Sequence, residues 1–192
     1  MYKIIVKRVL DIIISSLGII FLIIPMLIIA IVIKCDSKGP VLFKQKRLGR
    51  FKKQFTILKF RTMCDHAYEL GGIAKSESDS RITKVGKFLR RTSLDETPQF
   101  FNIFIGQMTI VGPRPVLDWE YEEYAKPEYE ERFKVRPALF GTVDIVARNA
   151  DRDTQFRMDA EYARKCSFTL DFMTFFKAFK VVLSGKGVYR DE

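Results

Sequence analysis

The hydrophobic pattern breaks the chain at one sharp boundary. Positions 12 to 33 hold no charged residue, and this run of Ile, Leu, Val and Phe lies between Lys3, Lys7, Arg8 and Asp11 before it and Lys34, Lys38, Lys44, Lys46 and Arg47 after it. An apolar run of about 22 residues reaches about 33 Å as a straight helix, enough to cross a bilayer. It is too long for a cleaved signal peptide, and no small-residue cleavage site follows it before Lys34. Pro25 falls inside the run, where it removes a backbone hydrogen bond and bends a helix. Both flanks are basic, so both ends favour the cytoplasm. A re-entrant helix kinked near Pro25, entering and leaving by one face, meets both observations, and a kinked single span is the alternative. The boundary separates a membrane-embedded segment, 1–34, from a cytosol-facing domain, 35–192.

Beyond that boundary the pattern shortens. Val41 to Lys46 and Phe55 to Arg61 read as two strands around a basic turn at Gly49; the alternation of Phe55, Ile57 and either Lys59 or Arg61 suggests a half-buried hairpin with basic residues on its open face. Residues 64–80 read as an irregular loop. Val85, Phe88 and Leu89 mark one face of a short helix that carries Lys84, Lys87, Arg90 and Arg91 on its other sides. Thr97 and Pro98 predict a helix start, with Thr97 as the N-cap, running through Phe100, Phe101, Ile103 and Phe104 to Gly106. Met108 to Pro115 reads as a strand entering a rigid turn, and the acidic stretch from Asp118 is helical in composition and split at Pro127. A strand over 142–148 and one or two amphipathic helices ending at Gly185 complete a small, mixed α/β fold. In the last helix Phe172, Phe175, Phe176 and Phe179, with Lys177 and Lys180, suit either a membrane interface or core packing.

Charge narrows the partners. The chain has 192 residues and a formal net charge of +10. From Lys34 to Arg91 sixteen Lys and Arg face five Asp and Glu, so this segment is expected to meet an anion. The neighbouring apolar run favours membrane lipids and phosphorylated substrates over nucleic acid, for which no recognition motif is present. Cys35, Cys64 and Cys166 are scattered and His66 stands alone, which argues against a zinc site, a disulfide framework or a His-based triad.

The chemistry concentrates between Leu89 and Pro115. Arg90 and Arg91 precede the adjacent carboxylates Asp95 and Glu96, and a Gly-Pro-Arg-Pro turn carries Arg114. Ser93 to Glu96 matches a capping box, but in that register Pro98 would sit inside the first helical turn. In the functional reading Asp95 attacks a phosphorus atom, while Glu96 holds a divalent metal or manages protons. Phosphoryl transfer works by positioning and charge neutralisation, so Mg2+ and cations such as Arg90, Arg114 and Lys59 belong around a diphosphate. Asp151-Arg152-Asp153 has the form of a DxD metal signature, a three-residue pattern that arises often by chance.

The chain resembles bacterial sugar transferases of the monotopic polyprenyl-phosphate phosphoglycosyl transferase superfamily. The resemblance covers nearly the whole length through KRVLDIIISS with Pro25, GPVLFKQKRLGR, FTILKFRTM, SRITKVGKFLRRTSLDETPQFFNIFIGQMTIVGPRP, Val135 to Pro137 and SFTLDFMTFFKAFKVVLSGKGVY. It implies a re-entrant helix at the bacterial inner membrane and a catalytic domain on the cytoplasmic face. It also implies transfer of a sugar phosphate from a UDP-sugar to polyprenyl phosphate, with release of UMP, as the first membrane step of a surface glycan, and it allows a homo-oligomer. By this resemblance Asp95 is the nucleophile, Glu96 and Mg2+ assist, Arg90 and Arg114 contact phosphate, and Lys59, Arg136 and Arg148 lie around the nucleotide. Lys7, Arg8 and Asp11 match the membrane-entry motif. Two stretches depart from the family pattern: Ile24-Pro25 replaces Ser-Pro, and RPALFGTVDIVARNA replaces an Arg-Pro-Gly-Ile-Thr-Gly stretch. A homologue inactivated through the second departure, left as a membrane-anchored module binding anionic lipid or a partner protein, is the competing reading.

Overall fold

The computed structural model describes residues 2–72, 78–143 and 150–183. A π-helical turn at Tyr2–Val6 leads into α1, Lys7–Asp36, which runs through Pro25 without a break in its helical assignment. At 30 residues α1 is about 45 Å long. It is the one described helix long and apolar enough to cross a membrane. Its buried residues, Lys7, Asp11, Ser15, Met26 and Ile33, follow helical spacing along one stripe, whereas Ile20, Phe21, Ile24, Leu27 and Ile31 are exposed on the others.

Polar contacts fasten both ends of that stripe to the rest of the chain. Lys7 Nζ donates to the Val111 carbonyl at 2.8 Å and pairs with Asp171, whose second oxygen accepts from the Tyr162 hydroxyl. Asp11 Oδ1 accepts from Thr109 Oγ1 at 2.8 Å and from the Ile110 amide at 3.0 Å. At the other end Arg61 donates to the Ser37 and Lys38 carbonyls, 2.7 Å each, and so ties down the chain where it leaves α1. Between these ends Met26 and Ile33 pack with Phe60 and Leu89, and Gly18 lets the Phe100 ring approach so closely that a Cβ would lie 2.9 Å from it.

Strands β1, Leu42–Leu48, and β2, Gln54–Phe60, form an antiparallel hairpin. The register pairs Phe43 with Lys59, Gln45 with Ile57 and Arg47 with Phe55, which puts these six residues on one face. That face packs on the core through Phe55 and Ile57, beside Ile103, Met108 and Ile110. Lys59 and Arg61 both continue the alternation of Phe55 and Ile57 and are drawn inward. Both are accommodated because oxygen partners wait there: a carboxylate for Lys59 and the end of α1 for Arg61.

A short helix α2, Ala67–Gly71, lies in the stretch expected to be irregular. Helix α3, Lys84–Arg91, starts at Thr83, whose side chain accepts from the Gly86 amide at 2.9 Å. Gly86 presses against the backbone at Thr62, where a Cβ would fall 1.9 Å from the carbonyl oxygen. Only glycine allows α3 to sit this close to the end of β2. A 3-10 turn, Leu94–Glu96, then runs into α4, Gln99–Phe104.

Strand β3, Thr109–Gly112, pairs in parallel with β4, Ala138–Gly141, with Thr109 opposite Ala138 and Gly112 opposite Gly141. The second strand thus precedes the expected one: Thr142 and Val143 are already helical, and 144–149 lie outside the described residues. Ala138 and Gly141, both small and buried, let β4 approach the fully buried β3. The acidic stretch divides at Pro127 as expected, into α5, Asp118–Tyr124, and a 3-10 segment, Pro127–Lys134. Helix α6, Arg152–Lys165, packs on that segment through Phe156, Tyr129 and Phe133. In α7, Phe168–Leu183, Asp171, Thr174 and Ala178 face inward while Phe168, Phe172, Met173 and Phe176 are exposed. The Phe179 side chain and Gly185 lie outside the described residues.

Gly86→Ala is expected to destabilise the fold by about 2 kcal/mol, because α3 must lift off the Thr62 backbone. Thermal unfolding in detergent should show a midpoint lowered by several degrees; a midpoint equal to the parent's would contradict the close approach.

Candidate active site

Three elements meet at Asp95 and Glu96: the end of β2, the last turn of α3 and the 3-10 turn that carries the pair. Helix α3 ends as the Thr92 hydroxyl and amide both bond the Phe88 carbonyl. Ser93 then takes a left-handed conformation, φ 56° and ψ 16°, which turns the chain back toward β2. A non-glycine residue held there stores about 1–3 kcal/mol, a strain that surrounding structure must enforce.

This turn settles two local expectations. Ser93 makes no side-chain capping bond, so no capping box forms. Thr97 already has helical dihedrals, φ −57° and ψ −31°, and its hydroxyl donates to the Leu94 carbonyl at 2.8 Å. It is therefore not the N-cap of α4, because the 3-10 turn feeds directly into the helix and leaves no extended residue at the junction.

The half-buried carboxylates are surrounded by cations. Lys59 Nζ lies 2.5 Å from Glu96 Oε1. Arg90 donates its Nε to Thr62 Oγ1 at 2.8 Å, which fixes its side chain, and its charge reaches Asp95. Burial raises the Asp95 pKa to about 6, with the neighbouring Glu96 charge adding to the rise while Lys59 and Arg90 oppose it. Burial acts on Glu96 in the same direction, but Lys59, Arg114 and Arg47 outweigh it and hold that carboxyl below its usual range. Adjacent carboxyl groups pushed apart in this way are suited to different roles. Two carboxylates among Lys59, Arg90, Arg114 and Arg47 leave a net charge of +2, a seat for a phosphorylated anion.

Of the remaining expected residues, Arg114 stands exposed on the turn after β3, close enough to act on Glu96. Arg136 lies instead at the far end of α4, where its Nε donates to the Gly106 carbonyl at 2.9 Å beside Arg8. Arg148 lies outside the described residues. Asp151 caps α6 by accepting from the Thr154 amide, and Asp153 bonds Lys126 and Tyr129, so the DxD-like triplet serves helix and packing contacts. Arg47 is the addition that sequence reasoning missed; its signal was the strand period, which sets it on the Lys59 face of the hairpin.

Among the described residues no three Asp, Glu, His or Cys side chains converge on one point. A divalent cation here would rest on Asp95 and Glu96 and complete its coordination with water and substrate phosphate. That donor set fits Mg2+, which keeps several waters and binds through one or two carboxylates.

The family model for bacterial sugar transferases matches residues 2–185. The chain is 43% identical over 185 residues to a UDP-glucose:undecaprenyl-phosphate glucose-1-phosphate transferase of Klebsiella pneumoniae, covering 90% of this chain and 40% of that protein. It is 36% identical over 189 residues to a UDP-N-acetylgalactosamine-undecaprenyl-phosphate N-acetylgalactosaminephosphotransferase of Aeromonas hydrophila, covering 95% of this chain and 44% of that one. The chain thus spans less than half the length of these two relatives. An exopolysaccharide production protein, PSS, of Rhizobium leguminosarum bv. phaseoli is 36% identical over 186 residues, which are 90% of this chain and 92% of that protein. The chain belongs to the bacterial sugar transferase family.

Proposed function

We propose that this chain transfers a sugar 1-phosphate from a UDP-sugar to polyprenyl phosphate, as the initiating membrane step of surface glycan synthesis. The observation that carries the reading is the Asp95–Glu96 pair, split in pKa and enclosed by Lys59, Arg90, Arg114 and Arg47. An Asp95 oxygen attacks the phosphorus that bears the sugar. An O–P bond forms to Asp95, the P–O bond to UMP breaks, and UMP departs with that bonding pair. A polyprenyl phosphate oxygen then attacks the same phosphorus, which returns the Asp95 carboxylate and yields a polyprenyl-diphosphate sugar.

Glu96, held ionised by Lys59, keeps the pair anionic and orients that ammonium toward the phosphates. Arg90 and Arg114 bind the diphosphate oxygens. Asp95 and Glu96 would hold Mg2+, which when bound neutralises phosphate charge as the leaving group forms. The similarity to relatives named for UDP-sugar and undecaprenyl-phosphate chemistry supports the substrate classes.

The setting we infer is the cytoplasmic face of a bacterial inner membrane, with α1 as a re-entrant helix. Its support is that both ends of α1 bear on the same domain: Lys7 and Asp11 on β3 and α7, Met26 and Ile33 on Phe60 and Leu89. A single span would carry one of these ends to the opposite side, away from its partners. The exposed aliphatic side chains between them would face lipid.

Asp95→Asn should leave the protein folded and membrane-bound while UMP release falls by about a thousandfold or more, since an amide is a poor nucleophile; release at the parental rate would sink the mechanism. Without Mg2+, Asp95 should lose its proton with a midpoint at about pH 6, above the usual carboxylate range because burial disfavours its charge, as followed by carboxyl carbon NMR against the Asp95→Asn variant. A midpoint near that of a free aspartate would contradict this. For topology, Lys3→Cys and the native exposed Cys35 should both react with a membrane-impermeant thiol reagent in inverted vesicles and neither in right-side-out ones. Labelling of the two positions from opposite sides would establish a span.

A further inference from the structure

Arg114 projects from a turn whose backbone is held to an unusual degree. Pro113 and Pro115 flank it and fix their own φ angles. The four successive carbonyls around it all accept hydrogen bonds: Pro113 from the Ala138 amide at 2.8 Å, Arg114 from Arg132 Nη2 at 3.0 Å, Pro115 from Arg47 Nη1 at 3.2 Å and Val116 from the Leu48 amide at 2.9 Å. Two of the four donors are ordinary strand-type contacts. The other two are guanidinium groups, and they are the two that grip Arg114 and its successor.

Each guanidinium is in turn seated on a buried carboxylate from the second half of the chain. Arg132 Nη2 lies 2.6 Å from Asp159, both side chains being 2% exposed, and the guanidinium lies over the Phe156 ring at 4.1 Å. Arg47 is tied to Gln45 at 2.7 Å and lies 3.5 Å from Glu120. Glu120 is itself held by the Leu117 amide and by Arg152, at 2.7 Å each. Buried ion pairs of this kind contribute little net stability, because desolvation offsets the attraction, and an apolar pair of similar volume would fill the same space. What an apolar pair cannot do is donate to the carbonyl of Arg114.

We propose that Arg132 with Asp159, and Arg47 with Glu120, are positioning residues that hold the 112–116 turn so that Arg114 meets a substrate phosphate. This gives the acidic segment and α6 a task that their packing alone does not require. Arg132 acts only through Arg114, whereas Arg47 also faces Glu96 across the site. The kinetic arm of the test rests on the transferase reading, and a second arm does not.

The test is a double-mutant cycle in the full chain between Arg114→Ala and the paired change Arg132→Met with Asp159→Leu. In the parent background the paired change should lower kcat/KM for the UDP-sugar by about tenfold, the value of one well-placed charged hydrogen bond. In the Arg114→Ala background it should lower it less than about twofold, because the group it positions is gone. Losses that multiply would overturn the proposal. Should the paired variant fail to fold, Arg132→Lys, which can keep Asp159 paired without reaching the Arg114 carbonyl, runs the same cycle. Independently of any activity, hydrogen exchange at the Ala138 and Leu48 amides, which donate to the carbonyls at the two ends of the turn, should quicken by about tenfold or more in either variant, with exchange in the rest of β1 and in β2 unchanged. Unaltered exchange at those two amides would also overturn it. A parent protein inactive with every UDP-sugar would instead remove the transferase reading, and the exchange result alone would then decide the positioning claim.

Discussion

Two neighbouring carboxylates can be half-buried only where cations surround them, and much of the fold serves that requirement. The hairpin delivers Lys59 and Arg47 on one face, α3 delivers Arg90, and the turn after β3 delivers Arg114. None of these elements is long. Each is pinned by a specific contact instead: Gly86 against Thr62, the Ser93 reversal, and the bonded carbonyls of the Pro113–Val116 turn. The resulting asymmetry, Asp95 raised and Glu96 lowered, follows from which cations face which carboxyl. On the proposed mechanism it separates the carboxyl that bonds phosphorus from the one that stays ionised beside Lys59.

The same economy links the long apolar helix to the site. Helix α4 follows directly from the turn that carries the carboxylates, and its other end is closed by Arg8, which donates to the Ile103 and Phe104 carbonyls at 2.7 Å each. Arg8 belongs to α1, so one six-residue helix lies between the apolar segment and the carboxylate pair. Lys7 and Asp11, charged residues at the edge of an apolar run, are stable there because β3 and α7 supply their partners. On the proposed reading, a site placed this way would stay at a fixed distance from lipid, as joining a soluble donor to a lipid-borne acceptor requires.

A good part of this arrangement was legible in the sequence. The apolar run, the hairpin, the split of the acidic segment at Pro127 and the association of Asp95 and Glu96 with Lys59 and Arg90 all follow from pattern and residue type. What was not legible depended on tertiary partners. Thr97 looks like a cap in isolation, but the turn preceding it is already helical. That Lys59 and Arg61 both turn inward follows from a carboxylate and from the carbonyls just past α1, which only the folded chain brings to that face. Strand β4 was missed because its small residues, Ala138 and Gly141, carry little strand propensity and are selected by the space beside β3. Arg47 and Arg132 were hidden for a related reason, since their roles are defined by carbonyls and carboxylates brought in from distant segments.

The proposed mechanism requires Asp95 to form a covalent bond to phosphorus, and intact-mass and peptide mass spectrometry test that directly. Protein incubated with a UDP-sugar and Mg2+, without lipid acceptor and quenched in acid, should carry the added mass of one phosphosugar on the peptide containing Asp95. That mass should vanish when polyprenyl phosphate is supplied. Efficient transfer to the lipid with no adduct on Asp95, or with an adduct on another residue, would contradict the central claim.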